Sequence, residues 1–363
     1  MRIGIIGGGQ LGRMLALSAY PLGLSPVFYE QTADTCAAAV GPVVSGRFDD
    51  PHALGAFAAS VDVVTFDWEN VPVASVKPLS RVTKVAPPAN ALARSQDRLV
   101  EKSLFRKLGI PTPDFAAVDD RADLDAAIAL IGLPGVLKTR RFGYDGKGQA
   151  VLRTRADVER GWAALAGQAL IYEQLIPFER EVSLLCVRGR KGEIRDYPLT
   201  ENVHESGILA VSSAPYVNAA MHRHARRHVH ALLGNLRYVG VLAVEFFVHR
   251  GRLIANEMAP RVHNSGHWTI EGAVTSQFEN HIRAIAGLPL GDTAATGHSV
   301  MVNFIGGMPD RKRTLAVPGL HLHDYGKLPR PGRKLGHATA VCASAGARNS
   351  VRRVLLSMRR NVP

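Results

Sequence analysis

No apolar run in the chain reaches the roughly 18 residues that a helix needs to cross a bilayer, so a helical membrane span is not expected. Cysteine is scarce. Cys36, Cys186 and Cys342 are odd in number and far apart, which speaks against a disulfide framework or a CxxC metal site. Aromatic residues are only 6% of the chain, little for the stacking platforms of a single-strand nucleic-acid binder. The opening "MRIGIIGGGQLGRML" has neither the long apolar core nor the cleavage site of a signal peptide, and a cytoplasmic location is expected. Acidic residues are also short, 31 against 44 Lys and Arg, for a net charge of +13. Such a charge asks for an anionic partner. Nucleic acid is the obvious candidate, but the basic residues are mostly scattered; small, multiply phosphorylated substrates would also suit a basic protein.

What remains is an ordinary globular composition, 46% hydrophobic and 21% charged over 363 residues, enough for two or three domains. The first hundred residues alternate strand and helix: "RIGII", "QLGRMLALSAYPLG", "PVFYE", "DPHALGAFAAS", "VDVVTF". That is the α/β pattern of a doubly wound parallel sheet. A Pro-rich turn and a basic helix in "APPANALARSQDRLVEKSLFRKLGIPTP" mark a boundary. Longer antiparallel strands follow, "REVSLLCVRGRKGEIRDYPLT" and "VGVLAVEFFVHRGRLIANEMA", and the pattern becomes α+β. From about Gly291 a Gly- and Pro-rich section leads into an arginine-rich tail. Three domains are expected: residues 1–95, 96–290 and a small C-terminal one, 291–363.

Two basic clusters stand out. "MHRHARRHVHALLGNL" reads as a helix; His224 and His228 at i, i+4 suit a metal, but no carboxylate or cysteine lies in the stretch, and a solvated basic face is favoured. In the tail, Val351, Val354, Leu355 and Met358 fall at helical spacing, which fits an amphipathic helix docked on its own protein.

Several stretches carry chemistry. Gly7, Gly9 and Gly12 form GxGxxG at a strand-to-helix junction, where helix amides bind an anion, and Gln10 offers a side chain there. Glu30 ends the next strand, about where a dinucleotide fold keeps its ribose acid, so a dehydrogenase reading stays open. "RRFGYDGKGQ" packs three glycines and Lys147 into one loop, and fits a hairpin turn as well as a phosphate cradle. In "VLAVEFFVHRGRLIANEMAP", a three-residue turn with Gly251 left-handed pairs Val248 with Arg252 and Glu245 with Ala255. Glu257 is then the diagonal neighbour of Glu245 on one face, and two carboxylates there suit Mg²⁺. A four-residue turn would set them on opposite faces. Arg261, His263, Asn264 and His267 follow directly, as donors for a phosphoryl transition state. Lys138 and Glu173 end apolar strands and make sense together if a nucleotide lies between two sheets.

The order of Lys138, "GYDGKGQ", "YEQLI" and Glu245/Glu257 resembles the ATP-grasp superfamily. "GGGQLGRMLA", "WENV", "QDR", "IPFEREVSLL", "YPLTENVH" and "NEMAPRVHNSGHWTIEGAVTSQFE" narrow the resemblance to the 5-(carboxyamino)imidazole ribonucleotide synthase family of purine biosynthesis. It implies an ATP-grasp fold, a homodimer, and an ATP- and Mg²⁺-dependent ligase that carboxylates 5-aminoimidazole ribonucleotide with bicarbonate. By motif match, ATP would meet Arg98, Lys138, Gly143, Tyr144, Asp145, Gly146, Lys147, Gly148 and Gln149. It would also meet Glu173, Gln174, Leu175, Ile176, Glu181, His204, Asn256 and Glu257. Glu245 and Glu257 would hold the metal, and Asp145, Arg261, Asn264 and His267 would be catalytic. The ribonucleotide would meet Gln10, Glu69, Tyr144, Lys147, His267, Lys327 and Arg333. "FDWENV" departs from the usual "FEFENV", and Phe142 stands where the family commonly has Gly.

Overall fold

A computed structural model describes residues 1–143 and 146–360. The N-terminal strands β1 (Arg2–Ile6), β2 (Ser25–Glu30), β3 (Val43–Ser45), β4 (Val63–Phe66) and β5 (Lys84–Val85) form a parallel sheet in the order β3-β2-β1-β4-β5. β1 and β4 are almost wholly buried, as strands covered on both faces must be. One cover is the helix Gln277–Ala286, which belongs to the middle of the chain. Its Phe278, Ile282 and Ile285 share a core with Ile3 and Ile5, and His281 Nε2 lies 2.8 Å from Thr65 Oγ1. The doubly wound unit is therefore fixed to the rest of the chain by a buried apolar surface.

Strands β6 (Phe115–Val118), β7 (Gly135–Thr139), β8 (Gln149–Leu152) and β9 (Leu170–Gln174) make a small antiparallel sheet, β6-β9-β7-β8. The helices Arg121–Ile131 and Arg155–Leu165 pack on it. Each opens with a capping box, Asp120/Asp123 and Thr154/Asp157, which satisfies orphan amides at the helix start.

The remaining strands are β10 (Arg180–Arg188), β11 (Ile194–Asp196), β12 (Thr200–Glu205), β13 (Ile208–Ala214), β14 (Gly240–His249), β15 (Arg252–Ala259), β16 (His298–Ile305), β17 (Leu320–Asp324) and β18 (Lys334–Cys342). They form one sheet, β15-β14-β10-β12-β13-β16-β18-β17, with β11 on β10. β16 pairs with β13, so the last section of the chain extends the central sheet rather than building one of its own. The helix Ala219–Asn235 covers part of it through Met221, Ala225, Val229, Leu232 and Leu233, an apolar stripe at helical spacing. From the same helix Arg226 Nε and His230 Nε2 reach Asp196 of β11 at 2.7 and 2.6 Å. Cys186 lies close to the same Asp196–His230 pair, but burial pushes its thiol well up, away from the thiolate that a metal takes. His224 is exposed and takes no part.

The tail forms the helix Ala345–Arg360 and docks on β16 and β18 through Leu355, with Val351, Leu356 and Met358 partly buried. Val354 corrects the expectation. It is exposed, and Leu356 packs in its stead, because the buried stripe runs along 351, 355 and 358. Among the described residues no helix is long and apolar enough to cross a membrane.

Candidate active site

The hairpin of β14 and β15 corrects the sequence reading in an informative way. Its turn has two residues, Arg250 (φ 49°) and Gly251 (φ 71°), and His249 pairs with Arg252. Two consecutive left-handed residues match the twist of the flanking strands, which is why the tighter turn wins over three residues. Continued without interruption, that register would set Asn256 opposite Glu245 and turn Glu257 to the other face. A β-bulge intervenes. Phe246 pairs with Ala255, Asn256 is the extra residue, and Glu245 stands directly opposite Glu257.

Burial pushes the Glu245 carboxyl up, to about 7, with nearby Glu257 adding to the effect and His204 opposing it. Burial works on Glu257 in the same sense, but the Arg98 guanidinium, 3.0 Å from its Oε2, holds it below the ordinary carboxylate range. His263 Nε2 lies 3.6 Å from Glu245, yet burial keeps that imidazole neutral. Two facing carboxylates with a neutral neighbour are an oxygen donor set for a hard cation, so these residues fit Mg²⁺.

Across from them, Lys138 on β7 bonds Glu173 on β9 at 2.9 Å, both buried. Burial would raise the Glu173 carboxyl, but Lys102 and Lys138 hold it down at about 2. Gln174 ends β9, exposed, and Leu175 and buried Ile176 follow it. On the central sheet His204 Nδ1 meets Glu181 Oε2, joining β12 to β10. Arg98 connects the two sheets: it donates to Glu257 and also, at 3.3 Å, to the carbonyl of Gly143. It opens the helix Arg98–Lys107, whose N-cap Asp97 also grips Arg140 at 2.9 Å and so anchors the start of the glycine loop. In that loop Gly146 and Gly148 take φ of 77° and 69°, and a Cβ on Gly148 would come within 2.6 Å of Thr139 Oγ1. Gln149 pairs with Lys138, and Lys147 is exposed. Phe142 is 68% exposed at a left-handed φ of 61°, a conformation that suits the glycine expected there. Tyr144 and Asp145 lie outside the described residues.

The second group of expected residues gathers where the three sections meet. Lys327 Nζ donates to Gln10 Oε1. Arg333 donates to the Leu328 carbonyl at 3.1 Å and shapes the same loop. Arg261 and Glu69 form a two-pronged ion pair at 2.9 Å on each arm. His267 is fully buried with its Nε2 unpartnered, and burial keeps it neutral. Asn264 is held by a reciprocal amide pair with Asn303 on β16, at 3.1 and 2.8 Å.

The N-terminal glycine loop behaves differently from a dinucleotide loop. Gly8 N donates to Glu30 Oε2 at 2.8 Å, and Gly9 N and Gly12 N donate to Asp67 Oδ2 at 2.6 and 3.1 Å. The protein's own carboxylates occupy these amides, and Glu30 is not free for a ribose. Burial pushes Asp67 up to about 6. The dehydrogenase reading loses both of its supports.

Asp67, Glu101, Lys102 and Asn303 were not anticipated. For Glu101 and Lys102 a signal existed: Arg98, Glu101 and Lys102 fall at i, i+3 and i+4 of one helix face, and all three turn inward.

The chain matches the model of the ribonucleotide synthetase preATP-grasp domain over residues 1–96. It matches the ATP-grasp domain over 103–278 and the phosphoribosylaminoimidazole carboxylase C-terminal domain over 299–350. It is 55% identical to the N5-carboxyaminoimidazole ribonucleotide synthase of Pseudomonas aeruginosa over 345 residues, 94% of this chain and 95% of that protein. The crystal structure of N5-carboxyaminoimidazole ribonucleotide synthetase from Thermus thermophilus superposes with a TM-score of 0.95 at 50% identity, covering 99% of both chains. N5-carboxyaminoimidazole synthase from Aspergillus clavatus, solved in complex with ADP and 5-aminoimidazole ribonucleotide, superposes with a TM-score of 0.93 at 29% identity, again over 99% of both.

Proposed function

The chain belongs to the N5-carboxyaminoimidazole ribonucleotide synthase family of ATP-grasp ligases, and from that premise we propose how its residues divide the work. The reaction is the ATP-dependent carboxylation of 5-aminoimidazole ribonucleotide by bicarbonate in purine biosynthesis, with ADP and phosphate as the other products. A bicarbonate oxygen attacks the γ-phosphorus as ADP leaves, giving carboxyphosphate. The carboxyl carbon then passes to the exocyclic amine of the ribonucleotide, the amine gives up a proton, and phosphate is released.

The observation that carries this reading is the reach of Arg98, which touches the glycine loop of one sheet and Glu257 of the other. A nucleotide held between the two sheets would lie with its phosphates under that loop and beside the carboxylate pair. Lys138, buried and positive opposite Glu173, supplies charge to the phosphates, and Glu181 with His204 lines the same cleft. Glu245 and Glu257 would hold Mg²⁺, which when bound supplies neutralisation of charge at the β- and γ-phosphates. Arg261 and Asn264 would steady the carboxyphosphate, each preset by a partner, Glu69 and Asn303. The ribonucleotide phosphate is assigned to Lys327, Arg333 and the Gln10 side chain, and the base end to Glu69 and His267.

Domain boundaries near residues 95 and 290, a homodimer and a cytoplasmic location complete the proposal; light scattering of the purified protein tests the dimer. The chemistry is tested with ¹⁸O-labelled bicarbonate. One labelled oxygen is expected in the released phosphate for each ribonucleotide carboxylated, and unlabelled phosphate would rule out carboxyphosphate.

A further inference from the structure

We propose that Lys102 is a positioning residue that pins the bulge in β15 and so keeps Glu257 facing Glu245. The proposal rests on the reading of that pair as the metal site. Lys102 is 0% exposed, an expensive place for an ammonium unless each of its protons has a use. Its Nζ donates at 2.9 Å to the carbonyl of Asn256 and lies 3.4 Å from Glu173 Oε2. Asn256 is the residue that has no partner in β14. The extra residue of a bulge is left unpaired in the ladder, and a donor on its carbonyl holds it in that place.

The neighbouring contacts belong to the same device. Glu101 Oε1 accepts from Met258 N at 2.7 Å, and Arg98 bonds the Glu257 carboxylate at 3.0 Å. Three side chains of one helix face therefore hold three successive residues of β15: Lys102 the carbonyl of 256, Arg98 the side chain of 257, Glu101 the amide of 258. Of these, Lys102 acts at the bulge residue itself. If the extra residue slipped back into register, Glu257 would rotate to the opposite face, because side chains alternate along a strand. A rival account makes Lys102 only a counter-ion for Glu173. Lys138 already serves that carboxylate from the shorter distance of 2.9 Å, and the rival leaves the Asn256 carbonyl unexplained.

Lys102→Met, which keeps the volume and removes the donor, separates the two accounts through measurements other than turnover. Amide hydrogen exchange over residues 254–258 of the nucleotide-free protein should quicken at least tenfold, with 180–188 unchanged. Calorimetry of ADP with Mn²⁺ and with EDTA gives the metal's contribution to binding. In the variant that enhancement should fall at least tenfold, while metal-free ADP affinity stays within threefold. Lys102→Arg keeps a charged donor and should retain both protection and enhancement. A Lys102→Met protein with protected 254–258 amides, or one that loses only metal-free ADP affinity, would overturn the proposal. Should that variant fail to fold, Lys102→Arg decides: loss of the Mn²⁺ enhancement while 254–258 stay protected would overturn it too. If Mn²⁺ does not tighten ADP binding in the unaltered protein, the metal reading of the pair fails; the exchange result still decides whether Lys102 pins the bulge.

Discussion

Two glycine-rich loops in this chain look alike as strings of letters and differ in what their backbones are free to do. In the loop of Gly7 to Gly12, three amides are already bonded to Glu30 and Asp67. A Cβ on Gly7 would come within 1.7 Å of Asp67 Oδ1, so glycine there makes room for the protein's own carboxylate. The loop that ends in Gly148 is instead tethered at its edges, through Arg98 on the Gly143 carbonyl and Thr139 N on the Gly148 carbonyl at 2.8 Å. A glycine pattern thus reports close backbone approach, and only the neighbouring charges say whether a ligand or a side chain approaches. Beside the first loop stand two acids; beside the second stand Arg98, Lys138 and a carboxylate pair fit for a cation.

The sharpest way to break this contrast is to disable the cation side. Glu257→Gln should lower turnover on the order of a hundred- to a thousand-fold or more while melting stays near that of the parent protein, because charge neutralisation at the phosphates is a main part of such catalysis. ADP release at ordinary Mg²⁺ checks it, and near-normal activity would sink the paired-carboxylate site.

Glu173→Gln tests the buried charges behind the second loop. It leaves Lys102 and Lys138 without their shared counter-ion, and stripping one partner from a buried ion cluster costs about 3–5 kcal/mol. Denaturant unfolding measures it. Because Glu173 is held at about 2, below its unfolded value of 4.5, its contribution is full above pH 4.5 and is lost as pH falls towards 2. The gap between parent and variant should therefore narrow below pH 4.5; a gap independent of pH would contradict the assignment.

On the sealed loop's side, Lys327→Ala should raise the Michaelis constant for the ribonucleotide roughly ten- to a hundred-fold, the loss of one charge-assisted hydrogen bond. The constant for ATP should stay within about threefold, since Lys327 meets Gln10 and not the sheets proposed to hold the nucleotide. Movement of the ATP constant alone would put the loop in the wrong half of the site.

The smallest effect concerns Asp67, raised by burial from 3.8 to about 6. A raised acid binds its proton more tightly in the folded state, so it favours folding below pH 3.8 and loses that contribution as pH climbs through 6. Asp67→Asn should flatten the decline in melting temperature between pH 4 and 7 by a few degrees. An unchanged slope would mean that Asp67 is not the group titrating there.

Much of this was legible because the informative features are local. Strand and helix alternation marked the first sheet, and the ordered motifs pointed to Lys138, Glu173, Glu245 and Glu257, which the fold brings to facing sheets. The hairpin shows the limit. That Glu245 and Glu257 share a face was anticipated through a three-residue turn, whereas a two-residue turn and a bulge produce it, and nothing in "HRGRLIANE" marks Asn256 as the extra residue. Its stabiliser, Lys102, lies 154 positions away in sequence. Asp67 escaped notice for the same reason, since it meets Gly9 and Gly12 across separations of 58 and 55. An acid at a strand end looks like a ligand group until the fold shows what it faces.

The proposed division between a nucleotide loop and a sealed loop beside a second substrate is tested most directly by ADP release in three mixtures: complete, without 5-aminoimidazole ribonucleotide, and without bicarbonate. Full rate only in the complete mixture, unaffected by added NAD, is the expected result. Equal ADP release without the ribonucleotide would contradict the assignment of Gln10, Lys327 and Arg333 to a substrate and leave the N-terminal loop without a role.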